Sequence, residues 1–125
     1  MNIATYVSAA SIPREGQAPM YSVALFKTSV SYENVKASGE MLLQLLSKEQ
    51  SNLVETLGRK SARDVDKLEE AMKLGYQVGY HDDIPFIEES LFVCKLQVRG
   101  WLDASDHELT LCEVTDIIAS RPGET

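Results

Sequence analysis

Two long strand-patterned segments near the end of the chain set the strongest limit on its fold. Leu91 to Leu102 and Glu108 to Ala119 are rich in aliphatic, β-branched and aromatic residues, and they are joined across Asp103-Ala-Ser-Asp106. Runs of this kind joined by a short polar link read as an antiparallel hairpin. A lone two-stranded hairpin is marginal in water, so other segments must supply the layers that cover it.

The rest of the chain offers strands first and helices in the middle. Residues 2–8 read as a short strand, followed by a turn-rich stretch punctuated by Pro13, Gly16 and Pro19. Met20 to Lys27 reads as a buried strand, with Tyr21, Val23 and Leu25 on one face and Met20, Ala24 and Phe26 on the other. Apolar residues on both faces imply that both are covered, as in a barrel wall that also meets a helix or a second subunit. Ser31 to Ser38 reads as a short helix stopped by Gly39, and Glu40 to Leu46 as another strand. Ser47 and Gln50 form a capping-box pattern for a helix to Leu57, with Leu53, Val54 and Leu57 facing inward. A second helix is capped at Ser61, carries Val65, Leu68 and Met72 on its inward stripe, and ends at Gly75. Tyr76 to Tyr80 reads as a brief edge strand and His81-Asp-Asp-Ile-Pro85 as a loop. Strands, two central helices and a closing hairpin give an α+β fold with a small antiparallel barrel. One domain spans residues 1–120, with 121–125 as a tail.

Charge narrows the partners. Twelve Lys and Arg stand against 19 Asp and Glu, a net charge of −7. Nucleic acids and anionic membranes bind proteins largely through neutralised phosphate charge, so this balance excludes both as partners. The first residues lack the basic start and apolar core of a signal peptide, and no apolar run reaches the ~18–20 residues that cross a bilayer. Two cysteines, Cys94 and Cys112, do not make a disulfide scaffold, and they read as buried free thiols of a cytoplasmic protein.

An anionic cofactor would need a local positive pocket, and two segments offer one. Leu57-Gly-Arg-Lys-Ser-Ala-Arg-Asp-Val-Asp-Lys67 gathers Arg59, Lys60 and Arg63 beside Ser61 at a helix start, where unpaired N–H groups and the dipole favour anions. The same residues also suit a solvated turn. The loop Lys27-Thr28-Ser29-Val30-Ser31 sets a cation and three hydroxyls directly after a strand, a donor set for phosphate oxygens. Equally, Ser29 or Ser31 could simply cap the following helix. His81-Asp82-Asp83 lacks the spacing of a metal ligand set, and G-x-G-x-x-G, P-loop and G-x-S-x-G motifs are absent.

Five segments in this order carry a family resemblance: Asn2-Ile-Ala-Thr-Tyr6, Leu25-Phe-Lys-Thr-Ser-Val-Ser-Tyr-Glu-Asn34, Leu42-Leu-Gln-Leu-Leu46, Leu57 to Lys67, and Ser105-Asp-His-Glu-Leu-Thr-Leu-Cys-Glu-Val114. Over nearly the whole chain they resemble the flavin reductase-like family, the FMN-binding split β-barrels. The resemblance implies a split barrel with two or three helices, usually a homodimer with the flavin at or near the subunit interface. It places Lys27, Thr28, Ser29 and Ser31, with Arg59, Lys60, Ser61 and Arg63, against the flavin phosphate. Thr5 and Ser8, on the first strand, fall where the family contacts the flavin edge. The family's Gly-Asp-His hairpin tip puts a histidine against flavin and nicotinamide, which makes His107 the candidate catalytic residue. Here Ser105 replaces that glycine, which bears on the turn. Family members generally carry a further segment before the Asn-x-x-Thr strand, whereas Met1 directly precedes it here, implying a more open barrel. The expected function is passage of reducing equivalents from NAD(P)H, a transient co-substrate, through FMN. The alternative is a non-catalytic dimeric module that holds FMN without turnover, or holds none.

Overall fold

A computed structural model of the chain describes residues 7–9, 16, 18–54, 57 and 66–123. Among these residues seven strands and two helices are defined: β1 (Val7–Ala9), β2 (Met20–Phe26), α1 (Val30–Ser38), β3 (Glu40–Leu45), α2 (Lys67–Lys73), β4 (Val78–His81), β5 (Ile84–Ile87), β6 (Phe92–Ala104) and β7 (His107–Ser120). Among the described residues five strands form one sheet in the order β1-β2-β7-β6-β3, which does not close on itself, and β4 and β5 form a separate pair. The chain divides into two compact units, one built on Ala4–Met41 with Lys95–Asp116, the other on Leu42–Cys94 with the chain from Ile117 onward.

The first unit is organised by the β2–β7 pairing. Val23 opposes Thr110, Leu25 opposes Glu108 and Phe26 opposes His107. Opposed residues share a face and neighbours alternate, so Val23, Leu25, Glu108, Thr110 and Cys112 line one side, and all five are buried. The Thr110 hydroxyl donates to the carbonyl of Val23 at 2.8 Å, which satisfies a polar group on that buried side. The other side carries Phe26 and Leu111, each about half exposed. Helix α1 is capped by Ser29 and closed by Gly39 in the left-handed conformation at φ 73°, as the Ser31–Ser38 reading with its glycine stop anticipates. Its Val35 is buried.

The second unit has its own core of Leu53, Leu57, Ala71 and Ile87, with Leu46, Tyr76 and Val78 packed against it. Here several sequence readings need correction. The Ser47–Gln50 box forms, with the Gln50 side chain accepting from the Ser47 N–H at 2.7 Å, but it opens a 3₁₀ turn over Lys48–Gln50. Leu53 and Leu57 are buried in the core while Val54, expected to face inward with them, is exposed. Helix α2 is capped by Asp66, whose carboxylate accepts from the N–H groups of Leu68 and Glu69, and Ser61 lies outside the described residues. The buried positions of α2 are Lys67 and Ala71, not the expected Leu68 and Met72, and Met72 is exposed. The Lys67 stem fills the space an aliphatic residue would take, and its ammonium donates to the Leu57 carbonyl at 2.6 Å.

Gly75 ends α2 as expected. At φ 96° it lets its own N–H reach Met72 O and that of Tyr76 reach Ala71 O, a Schellman closure. The segment expected as a loop at residues 81–85 is instead a tight hairpin. His81 pairs with Ile84, and Asp82 and Asp83 both take positive φ (49° and 65°), the backbone of a type I′ turn. Aspartate tolerates that conformation better than most residues, which is how Asp-Asp serves where Asn-Gly is usual. Cys94 and Cys112 are free and buried, as read from sequence, and burial pushes the Cys112 thiol pKa up.

Candidate functional site

The β2–α1 loop and the β6–β7 turn, almost eighty positions apart in sequence, meet at one end of the first unit. Strand pairing brings them together: β2 ends where β7 begins, and Phe26 and His107 are register partners with ring centroids 5.8 Å apart. The backbone N–H of Lys27 donates to the Asp106 carbonyl at 3.0 Å. The β6–β7 link is shorter than Asp103–Asp106, because Asp103 and Ala104 belong to β6 and only Ser105 and Asp106 turn the chain. Ser105 takes φ 72°, a conformation glycine adopts freely and serine does not. The turn thus takes a backbone conformation that suits glycine with a serine side chain in place.

Within this end, the sequence candidates fall into distinct settings. The Lys27 ammonium pairs with Asp103 Oδ1 at 2.6 Å, and this bond is the main cause holding the lysine pKa above its ordinary value. The same bond holds the Asp103 carboxyl below the usual carboxylate range, helped by the Ser105 N–H, which donates to the same oxygen at 3.1 Å. Ser29 is the N-cap of α1: its Oγ accepts from the Tyr32 N–H at 3.0 Å and donates to the Phe26 carbonyl at 2.8 Å. Thr28 is exposed and Ser31 half-buried, one before and one within the first turn of α1. A 2.7 Å hydrogen bond joins His107 Nδ1 to Asp106 Oδ1, and it holds the Asp106 carboxyl below its ordinary pKa. Ser8 sits opposite Ser22 in the β1–β2 pairing. Thr5, Arg59, Lys60, Ser61 and Arg63 lie outside the described residues.

The structure also gathers side chains that no sequence motif singles out. Glu108, buried beneath α1, accepts from the Tyr32 hydroxyl at 2.7 Å and from Lys36 Nζ at 3.1 and 3.2 Å. Tyr32 first and Lys36 after it hold this carboxyl below its ordinary pKa, against the burial that opposes them, and the same bond raises Tyr32. Lys36 Nζ lies 4.1 Å from the centroid of the Trp101 ring, which meets Tyr32 edge-on. The available signal is the i, i+4 spacing of Tyr32 and Lys36 on α1, too common on helices to be distinctive.

The donor chemistry fits a phosphate. Lys27 supplies a charged donor, Thr28 and Ser31 supply hydroxyls, and the first turn of a helix leaves backbone N–H groups without intrahelical partners. Against that stand Asp103, on the lysine itself, and the exposed Glu33 in the first turn of α1. Among the described residues no group of three His, Cys, Asp or Glu could hold a metal ion.

These features define an α+β protein on an open antiparallel sheet, with polar residues converging where a strand-to-helix loop meets a hairpin tip. The flavin reductase-like domain matches the chain over residues 2–125, and the chain belongs to that family. Solved structures share the fold, including the FMN-binding protein of Thermus thermophilus with bound p-hydroxybenzaldehyde (TM-score 0.75, 20% identity) and the flavoredoxin of Methanosarcina acetivorans (TM-score 0.75, 18% identity). Flavin reductase PheA2 in its native state is similar at TM-score 0.70 and 22% identity. Each match covers 94% of this chain and 62%, 59% and 68% of the respective solved chains. This chain thus spans about three fifths of the length of the first two. No curated protein matches the sequence.

Proposed function

We propose that the chain binds FMN and passes reducing equivalents from NAD(P)H through it. The observation that carries this reading is the meeting of the Lys27–Ser31 loop with the His107 turn, two motifs that sequence alone leaves far apart. In this reading Lys27, Thr28, Ser31 and the first-turn amides of α1 that Ser29 does not already occupy hold the phosphate. Ser29 acts by capping the helix that presents those amides. The resemblance adds Arg59, Lys60, Ser61 and Arg63 on the phosphate side, and Thr5 and Ser8 at the flavin edge.

Bound flavin would supply the hydride and electron chemistry itself. The chain's task is to orient its ligands, and the turn histidine is the group placed to do so. Its Nδ1 is bonded to Asp106, which fixes the imidazole plane and leaves Nε2 for a ligand or a proton. An orienting or proton-supplying group is worth ~10²–10⁴-fold at most. His107→Ala should therefore slow NAD(P)H oxidation within that range and leave FMN affinity nearly unchanged. Wild-type turnover in this variant would remove His107 from the site.

The protein works as a homodimer in the cytoplasm in this reading. The half-exposed Phe26 and Leu111 on the outer face of the β2–β7 pair support a second copy as its cover. A second reading, a module that holds flavin without turnover or holds none, is favoured by one observation: Lys27 and Ser29 already have internal partners. The absorbance spectrum of the purified protein with added FMN, followed by steady-state NAD(P)H consumption, separates the two. Flavin bands and turnover support the enzyme, flavin bands alone the carrier, and neither the empty module.

A further inference from the structure

We infer that Asp103 is a resident counter-anion for Lys27, competing with the ligand phosphate and weakening the site's preference for phosphorylated over unphosphorylated flavin. The inference rests on the flavin-binding reading above. The geometry gives the carboxylate a fixed position independent of the lysine. Asp103 Oδ1 accepts the Ser105 N–H at 3.1 Å within its own turn, while the backbone of Lys27 is tied to Asp106 O at 3.0 Å. The two charges are thus delivered to each other by separate backbone anchors, and their side chains close to 2.6 Å.

An ammonium has three donors and no acceptor. Asp103 takes one, and about a third of the Lys27 side chain remains exposed, so a phosphate can reach the remaining donors. It must then share the cation with a carboxylate. Lysine and aspartate together carry no net charge, and the chain as a whole carries −7, so the pair offers a dianion little attraction. Like-charge repulsion between Asp103 and the phosphate acts on FMN and is absent for riboflavin, which has the same ring and ribityl chain but no phosphate. Asp103 thereby affects discrimination between the two without needing to touch the ring.

Asp103→Asn tests this with little disturbance, because the amide oxygen can still accept the Ser105 N–H. FMN and riboflavin are titrated separately against the full chain by flavin fluorescence, in wild type, Asp103→Asn, and Asp103→Asn combined with Lys27→Met. The expected result for Asp103→Asn is FMN affinity higher by about 3- to 10-fold, the scale of a partly solvated charge pair, with riboflavin changed less than twofold. The double variant should lose that gain. Equal gains for both flavins, no gain for FMN, or a gain that survives Lys27→Met would each overturn Asp103 as the counter-anion of Lys27 while leaving flavin binding intact. Binding of neither flavin to wild type or variant would overturn the flavin reading itself and this inference with it.

Discussion

Ser29 and Ser105 show how one side chain can be fixed by backbone requirements at a site of ligand chemistry. Ser29 Oγ accepts the Tyr32 N–H as an N-cap and also donates to the Phe26 carbonyl, so Ser29→Ala should cost about 1 kcal/mol in urea denaturation. Ser29→Asp keeps an acceptor for the Tyr32 N–H but loses the donation to the Phe26 carbonyl, and it places a negative charge where the phosphate is proposed to sit. An Asp variant that folds as well as wild type and binds FMN equally would separate Ser29 from the phosphate. Ser105 has the reverse problem, a side chain in a conformation that favours glycine. Ser105→Gly removes a left-handed strain of roughly 1 kcal/mol, partly offset by the greater freedom of glycine in the unfolded chain. A small rise in Tm is expected, with His107 still in register opposite Phe26.

At the scale of elements, α1 and β7 are joined through Glu108. A helix lying on a sheet normally buries apolar side chains, yet here a carboxylate sits beneath α1 with Tyr32 and Lys36 as partners. Its folded pKa lies below the unfolded value of about 4.3, so it contributes stability that is fully present above that value. The contribution is lost as pH falls through the lower, folded value. Asp103 and Asp106 are depressed as well and titrate in the same acidic window, so the contrast with a variant isolates Glu108. Glu108→Gln should lower stability at neutral pH and flatten the acid limb of the stability curve, followed by circular dichroism between pH 2 and 7. A variant curve parallel to wild type through that window would show that the carboxylate charge contributes nothing.

For the whole molecule the relevant surface is the outer face of the β2–β7 pair, where Phe26 and Leu111 are each about half exposed. Exposed aromatic and aliphatic side chains on one sheet face suit association with a like surface, and two-fold dimers are the commonest outcome. Light scattering at micromolar concentration should give a dimeric mass. Phe26→Lys with Leu111→Lys should shift it toward the monomer, because two desolvated charges would meet their symmetry mates. A strictly monomeric wild type would count against the dimer and against any site completed by a second copy.

Elements whose ends are set by local chemistry could be read from the chain itself. Gly39 and Gly75 stop their helices because positive φ closes a helix best with no Cβ, and the alternation of β2 and β7 marks their strands over short windows. Phosphate-suited residues in the Lys27–Ser31 loop were visible as a list of donors. The partners were not visible. That Lys27 faces Asp103 and that Glu108 lies under Tyr32 and Lys36 depend on the β2–β7 pairing, which joins residues more than seventy positions apart. The helix faces of the second unit differ from the sequence pattern for a related reason. A 3.6-residue period identifies an amphipathic stripe, but Lys67 is buried and Met72 exposed because the available core volume and the Leu57 carbonyl decide which side chain enters. Local backbone preferences act through neighbours in sequence, whereas burial and charge pairing act through neighbours in space, and only the tertiary structure supplies those.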